Sequence, residues 1–187
     1  MSIMAIRDWL GDVRRSTSGV AAMEFALILP ILLALIIGTV EVGRLLIVTQ
    51  KLQNGTFIVA DLAARDETLT ADQLDMMFLA FDSLIEPFDF ASDGQAIISS
   101  VTADAMGDPM INWQRTGAGS LDVESEIGVP GGAATLPDVL TMVPGETLIV
   151  AETHFQYAPI FSVSGGGNML SKYAYVRPRL GTLETLE

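Results

Sequence analysis

Residues 14–48 read RRSTSGVAAMEFALILPILLALIIGTVEVGRLLIV. Two arginines and a short polar run lead to Gly19, four small or apolar residues, Glu24, and then an uncharged apolar stretch from Phe25 to Val40. From Val20 onward the pattern is a helix apolar on all sides. Glu24 and Glu41 are 17 residues apart, about 26 Å along a helix rising ~1.5 Å per residue, close to the ~30 Å of a hydrocarbon core. The stretch therefore reads as a membrane segment with an acid at its entrance. Pro30 sits about two turns in, where it removes one backbone donor, a loss that a membrane helix tolerates when neighbouring turns satisfy the freed carbonyl.

Outward from this stretch, the N-terminal residues MSIMAIRDWLGDVRRSTSG place Ile3, Ile6, Trp9 and Leu10 at helical spacing, the pattern of a short interfacial helix. Arg14 and Arg15 precede the apolar run, which the positive-inside rule reads as cytoplasmic, so the chain beyond faces outward. Residues 38–50 carry no small-x-small cleavage pattern, which argues against a conventional removable signal peptide. On the other side the helical pattern continues through Gln50, Lys51, Leu52 and Val59 to Ala63 and Ala64, with Asn54 and Gly55 its weakest point. Arg65 closes it, a cation suited to a helix C-terminus.

Length and charge bound the remainder. The 187 residues allow one ordinary domain and an anchor, and the anchor accounts for a 50% hydrophobic content. Residues 1–19 hold three arginines and two aspartates, leaving seven basic against 21 acidic groups, a net −14, on the rest. Such a body repels nucleic acid and anionic headgroups. With no cysteine there is no disulfide, thiolate nucleophile or cysteine-ligated zinc.

Thr70 to Gln73 is a capping-box pattern followed by Leu74, Met77, Phe78, Phe81, Leu84 and Ile85 at i, i+3, i+4 spacing. This predicts an amphipathic helix over Ala71–Ile85 with Asp72, Asp75 and Asp82 on its outer face and Pro87 as its stop. Beyond it the period becomes strand-like. Gln95–Ala105 and Met110–Thr116 flank a Gly107-Asp108-Pro109 turn cluster and read as a hairpin. Residues 117–145 form a long Gly- and Pro-rich loop over the sheet, with a helical turn or two at Leu136–Val143. Glu146–Tyr157, with Phe155 and Tyr157 on one face, and Leu170–Val176 complete the strands. The tail, Leu180–Glu187, has no visible partner and is expected to fray.

Few residues invite chemistry. Glu152 and the sole histidine, His154, leave the same strand face, and a His–Glu pair is acid–base or metal-ligand material. Two polar residues do not make a site, and a surface pair on a strand is the expectation. Gly165–Gly167 has Lys172 nearby, but a strand rather than a helix follows, so a loop is favoured over a phosphate cradle. Asn54-Gly55-Thr56 matches the glycosylation pattern, a short match expected by chance. No catalytic residues, cofactor or metal ligands are assigned, and nothing favours an enzyme. Glu24 is different: an acid inside a bilayer costs roughly 2.5–3.5 kcal/mol and calls for a partner, whereas at headgroup level it costs nothing.

Gly19 followed by VAAMEF resembles the cleavage motif of type IV pilin-like proteins: a glycine, glutamate five residues later, then an aromatic. The run GVAAMEFALILPILLALIIGTVEVGR is similar to TadE/TadF-type minor pilins, or pseudopilins, of the tight-adherence (Tad, Flp) pilus system. Pro30, Glu41, Gly43, Arg44 and the Ala64-Arg65 ending share that look, as do Trp113, the HFQYAPIF run and Arg177 to Arg179 farther on. Phe25 stands where the family commonly has tyrosine, keeping the ring. The resemblance implies cleavage after Gly19 by a prepilin peptidase, so that Gly19 and Val20 flank the cut. Glu24 would neutralise the new amino terminus of a neighbouring copy, with Phe25 beginning the packing helix.

The resulting expectation is an α+β protein: a long N-terminal transmembrane helix, a second amphipathic helix and a small antiparallel sheet of about four strands. Residues 1–19 would be a cytoplasmic leader, 20–48 the transmembrane helix, and 49–187 a periplasmic α+β domain beginning with the helix extension. The implied function is that of a minor pilin or pseudopilin in the bacterial inner membrane or the surface pilus, serving adherence. Its partners would be the prepilin peptidase, other minor pilins, the major pilin and the inner-membrane assembly platform. The competing reading is an uncleaved single-span protein whose outer domain binds a partner or the cell wall.

Overall fold

The computed structural model describes residues 17–160 and 167–187. The interfacial helix at Ile3–Leu10, Arg14, Arg15, Gly165 and Gly166 lie outside the described residues. Seven elements follow in order: α1 (Thr17–Ala63), α2 (Ala71–Ile85), α3 (Phe90–Asp93), β1 (Gly94–Ala103), β2 (Pro109–Gly117), β3 (Thr147–Tyr157) and β4 (Asn168–Val176). The α+β class and four-stranded antiparallel sheet expected from the sequence are both present. The chain divides into two compact units, Met1–Arg44 and Leu45–Glu187.

In the first unit α1 is apolar all round and exposed over nearly its whole length. Pro30 sits within the helix. The Thr39 hydroxyl donates to the Leu35 carbonyl at 2.8 Å, so this polar group finds its partner inside the helix, as a low-dielectric surrounding requires.

In the second unit the last turns of α1 become one-sided. Val48, Leu52, Thr56, Val59, Ala60 and Ala63 are buried at helical spacing, while Phe57 and Ile58 remain exposed. Thr56 donates to or accepts from Thr153 Oγ1 of β3 at 2.7 Å, fully buried, and also reaches the Leu52 carbonyl. Gly55 is required for packing: a Cβ there would lie 2.9 Å from the Phe81 ring of α2. The residue that propensity marks as the weak point of the helix thus leaves room for the Phe81 and Ile85 side chains of α2. Arg65 lies just past the helix end and, with Arg179, pairs with Asp61. The Arg65 hydrogen bond, with Arg179 beside it, holds the Asp61 carboxyl below its usual range.

α2 spans Ala71–Ile85 and starts with the expected capping box, Thr70 and Gln73 bonding reciprocally. It buries Leu74, Phe78, Phe81 and Ile85, with Met77 half-buried and Leu84 more exposed. The short helix α3 brings Phe90 into a ring cluster with Phe81 and Phe155, centroids 4.6 and 6.0 Å apart.

The strands lie in the order β2-β1-β3-β4, all neighbours antiparallel. Both faces of the sheet are covered. Ala96, Ile98, Trp113, Ile149, Ala151, Phe155, Tyr157 and Ala174 join the helices in one core. Val101, Ile111, Leu148 and Val150 form a second core with Ile127 and Ala134. The cover on this second face is the strap, residues 118–146, which contains turns and bends but no helix. The helical turns expected at Leu136–Val143 do not form: its apolar residues Leu136 and Met142 pack separately against the second core.

A β-bulge at Asn112 decides which face β2 serves. Ser100 pairs with Trp113 and Val101 with Ile111, so Asn112 has no opposite number. Its side chain instead donates to Thr102 Oγ1 at 2.7 Å. The extra residue turns Ile111 and Trp113, two positions apart, into opposite cores.

The tail does not fray. Leu183 is buried, Trp113 Nε1 donates to the Leu183 carbonyl at 2.8 Å, and at the start of α2 the Glu187 N–H donates to the Leu69 carbonyl while the Glu187 carbonyl accepts from the Ala71 N–H. The buried leucine and these hydrogen bonds together tie the end down.

Candidate functional site

The head of α1 carries the residues that the sequence singled out. Gly19, Val20, Glu24 and Phe25 all lie in regular helix, and all are exposed. A Cβ at Gly19 would meet nothing within 4 Å, so intramolecular packing gives no reason for glycine there. Val20 and Glu24, four residues apart, share a helix face, with Glu24 about 6 Å farther along the axis. The described helix has no charge between Glu24 and Glu41, and it is the one helix among the described residues long and apolar enough to cross a membrane. A surface of this kind can do two things: sit in lipid, and pack against other helices that carry a matching charge near Glu24.

The second cluster lies under the strap, and it corrects the expectation of a surface pair. Glu152 and His154 are both fully buried, because β3 is an inner strand and the strap closes over it. Glu152 accepts the Glu126 N–H at 3.0 Å and the Ser125 hydroxyl, both from the strap. His154 Nδ1 lies 2.9 Å from Ser171 Oγ of β4 and 4.0 Å from a Glu126 carboxylate oxygen, while Nε2 has no hydrogen-bond partner among the described residues. Burial raises the Tyr173 hydroxyl, and the neighbouring Glu126 adds to the shift. Tyr175 is raised by burial and then by Glu152.

This arrangement lacks the geometry of nucleophilic catalysis. A relay needs the nucleophile on one imidazole nitrogen and the acid on the other, whereas Ser171 and Glu126 both approach Nδ1. Among the described residues no group of three or more His, Asp or Glu side chains is placed to hold a metal. An open groove of ≈ 530 Å³ lies between α2 and the end of β2, with Phe78 and Leu79 along it. Its acids are already engaged: Asp75 pairs with Arg115 and Asp82 accepts the Ala91 N–H at 3.2 Å. The Asn54-Gly55-Thr56 pattern is helical, with the Thr56 hydroxyl buried. The strap anchors Ser125 and Glu126 could not be found from the sequence, since no periodicity marks a loop residue that reaches across a sheet.

Comparison with known proteins adds one finding to this geometry. The family model described as TadE-like protein matches residues 19–61, from the glycine before Val20 to the acid that Arg65 and Arg179 hold. No curated protein and no solved structure matches the chain. The match covers the exposed apolar helix and its continuation into the second unit, and stops before α2. Over residues 19–61, the stretch that carries its membrane-length helix, this chain is similar to the TadE-like family.

Proposed function

We propose that the protein is a minor pilin, or pseudopilin, of a Tad (Flp) pilus, cut after Gly19 by a prepilin peptidase and then incorporated in the pilus or engaged in its assembly for adherence. The observation that carries this reading is the placement of Gly19, Glu24 and Phe25 at the head of an exposed, membrane-length helix within the TadE-like match. In it, residues 1–19 are a cytoplasmic leader kept inside by Arg14 and Arg15, residues 20–48 span the inner membrane, and residues 49–187 are periplasmic. Gly19 supplies the small residue that a peptidase groove admits. Cleavage creates an ammonium on Val20, and Glu24 of a neighbouring, axially offset copy neutralises it, replacing two isolated charges in lipid by a pair. The acidic outer domain gives contact surfaces to other minor pilins, the major pilin or the assembly platform. The protein is thus a structural part and a peptidase substrate rather than an enzyme.

Glu24→Gln tests this assignment because it removes the charge and keeps the shape. Processing should continue, seen as the same mature mass as the unsubstituted protein, while pili on the cell surface fall at least about tenfold, the loss expected when a charge pair worth ~1.4 kcal/mol or more is removed. Normal piliation with glutamine at this position would contradict the role given to Glu24.

A further inference from the structure

The two edges of the sheet are finished differently. On β2 the strap closes the outer side: the Ile111 N–H donates to the Gly132 carbonyl, the Ile111 carbonyl accepts from the Gly131 N–H, and the Pro109 carbonyl accepts from the Ala134 N–H. On β4, the opposite edge, no backbone segment among the described residues does the same.

The ladder fixes which β4 groups are left over. The Ala103 N–H donates to the Glu146 carbonyl at 2.9 Å. Backbone groups alternate in direction along a strand, so the even-numbered residues of β3 bond to β1 and the odd-numbered ones to β4. Thr153 is opposite Lys172 and Ala151 is opposite Ala174, so the even-numbered residues of β4 bond to β3. Met169, Ser171, Tyr173 and Tyr175 therefore direct their N–H and C=O groups away from the sheet. A side-chain bond agrees with this assignment: Gln53 Nε2 of α1 donates to the Tyr173 carbonyl at 3.4 Å. It is the one partner given to these outward backbone groups among the described residues.

We propose that the free edge of β4, residues 169–175, is a strand-addition site that takes an extended segment of a different protein, with an acid on that segment opposite Lys172. Unpaired donors and acceptors along a regular edge are a template for one more strand. The charge that selects the occupant is on the edge itself. Lys172 shares the α1 face of the sheet with Thr153 and has no ion pair among the described residues. Because its backbone bonds to β3, an added strand meets it at a non-hydrogen-bonded position, where opposed side chains come closest. Leu170 and Ala174, two residues to either side, belong to the helix-side core and offer apolar neighbours to the same face of the added strand.

The same lysine argues against a second copy of this chain. A two-fold pairing of β4 with itself that uses all four outward residues sets Ser171 against Tyr173 and Met169 against Tyr175, which places the two Lys172 side chains directly opposite each other. The net −14 on residues 20–187 adds repulsion between copies. Nor does β2 of another copy offer a full edge, since the strap already occupies its first half. The site lies wholly within the outer domain and stands whether or not the leader is cut.

The test uses tag-free, full-length protein in detergent micelles and residue-resolved amide hydrogen exchange by NMR. The probe is a synthetic seven-residue peptide, acetyl-Thr-Val-Thr-Glu-Thr-Val-Thr-amide, which lays glutamate opposite Lys172 and valine opposite Leu170 and Ala174. Without peptide, the amides of Met169, Ser171, Tyr173 and Tyr175 should exchange at least about tenfold faster than those of Leu170, Lys172 and Ala174. About 1 mM peptide should slow the outward amides at least about twofold, the effect of half-occupancy. Lysine in place of the peptide's glutamate should weaken binding about fivefold, and Lys172→Glu should reverse that preference. Outward amides already protected in the dilute free protein, no slowing with peptide, or an unchanged preference in Lys172→Glu would each overturn the proposal. Protection that grows with protein concentration alone would make a second copy the occupant and overturn it as well. If Lys172→Glu does not fold, the two peptides on the unsubstituted chain decide.

Discussion

Residues 19–44 and 45–63 belong to one unbroken helix, yet they are written for different surroundings. In the first stretch nearly every side chain is exposed, from Val20 at 59% to Leu35 at 62%, and apolar residues occupy all sides. In the second, Val48, Leu52, Val59 and Ala63 are at or near 0% exposure, while Gln50, Gln53 and Asn54 face outward together with the apolar Leu46, Ile47, Phe57 and Ile58. Helix propensity does not distinguish the two stretches, since both form α-helix. What differs is burial: the first stretch is exposed on every side and apolar enough to cross a membrane, whereas the second packs one face against a sheet and α2. The TadE-like match begins in the first and continues through most of the second.

The sharpest way to break this comparison is to truncate equivalent leucines. Leu52→Ala removes a fully buried side chain from the helix-facing core and should cost about 2–5 kcal/mol in urea unfolding of the outer domain. Leu32→Ala, 43% exposed on the other stretch, should change that same transition by less than about 0.5 kcal/mol. Equal losses would mean that the two stretches do not differ as described.

Paired glycines give a smaller effect with opposite signs. Gly43 has open space around its missing Cβ, so Gly43→Ala should raise helix stability by roughly 0.5–1 kcal/mol. At Gly55 the new methyl would meet the Phe81 ring at 2.9 Å, and that ring is held by Phe90. Gly55→Ala should therefore lower outer-domain stability by about 1–3 kcal/mol despite its better propensity. Circular dichroism thermal melts of the two variants check the signs.

Thr56→Val sharpens the contrast further. It keeps the shape and deletes the buried hydroxyl that meets Thr153, leaving that partner unsatisfied at a cost of about 1–3 kcal/mol. Thr39, whose hydroxyl bonds only within its own helix, should accept the same substitution with less than about 0.5 kcal/mol of change in the outer domain.

Much of this architecture could be read from residue patterns. The capping box fixed the start of α2 to the residue, and the shift from a 3.6 to a 2 period located the four strands. Those signals are local, which is why they survive without tertiary information. The failures are all long-range. Glu152 and His154 looked like a surface pair because nothing within β3 records that a loop 26 residues upstream covers them. Ile111 and Trp113 share a period-2 face until the bulge at Asn112 separates them, and that bulge exists only relative to β1. The tail's burial depends on Trp113, 70 residues away. The residues at the head of α1 stand apart from both groups: their proposed partners lie outside the chain, and their positions along the helix are all that intramolecular structure contributes.

The central claim, that the head of α1 is a processing and assembly site, is tested most directly by intact mass measurement. The full chain is produced in cells with and without the cognate prepilin peptidase, extracted from membranes and weighed. The account predicts a species of the mass of Val20–Glu187 with the peptidase and the full-length mass without it. A full-length mass in both, with the peptidase shown active on another substrate in the same cells, would contradict it.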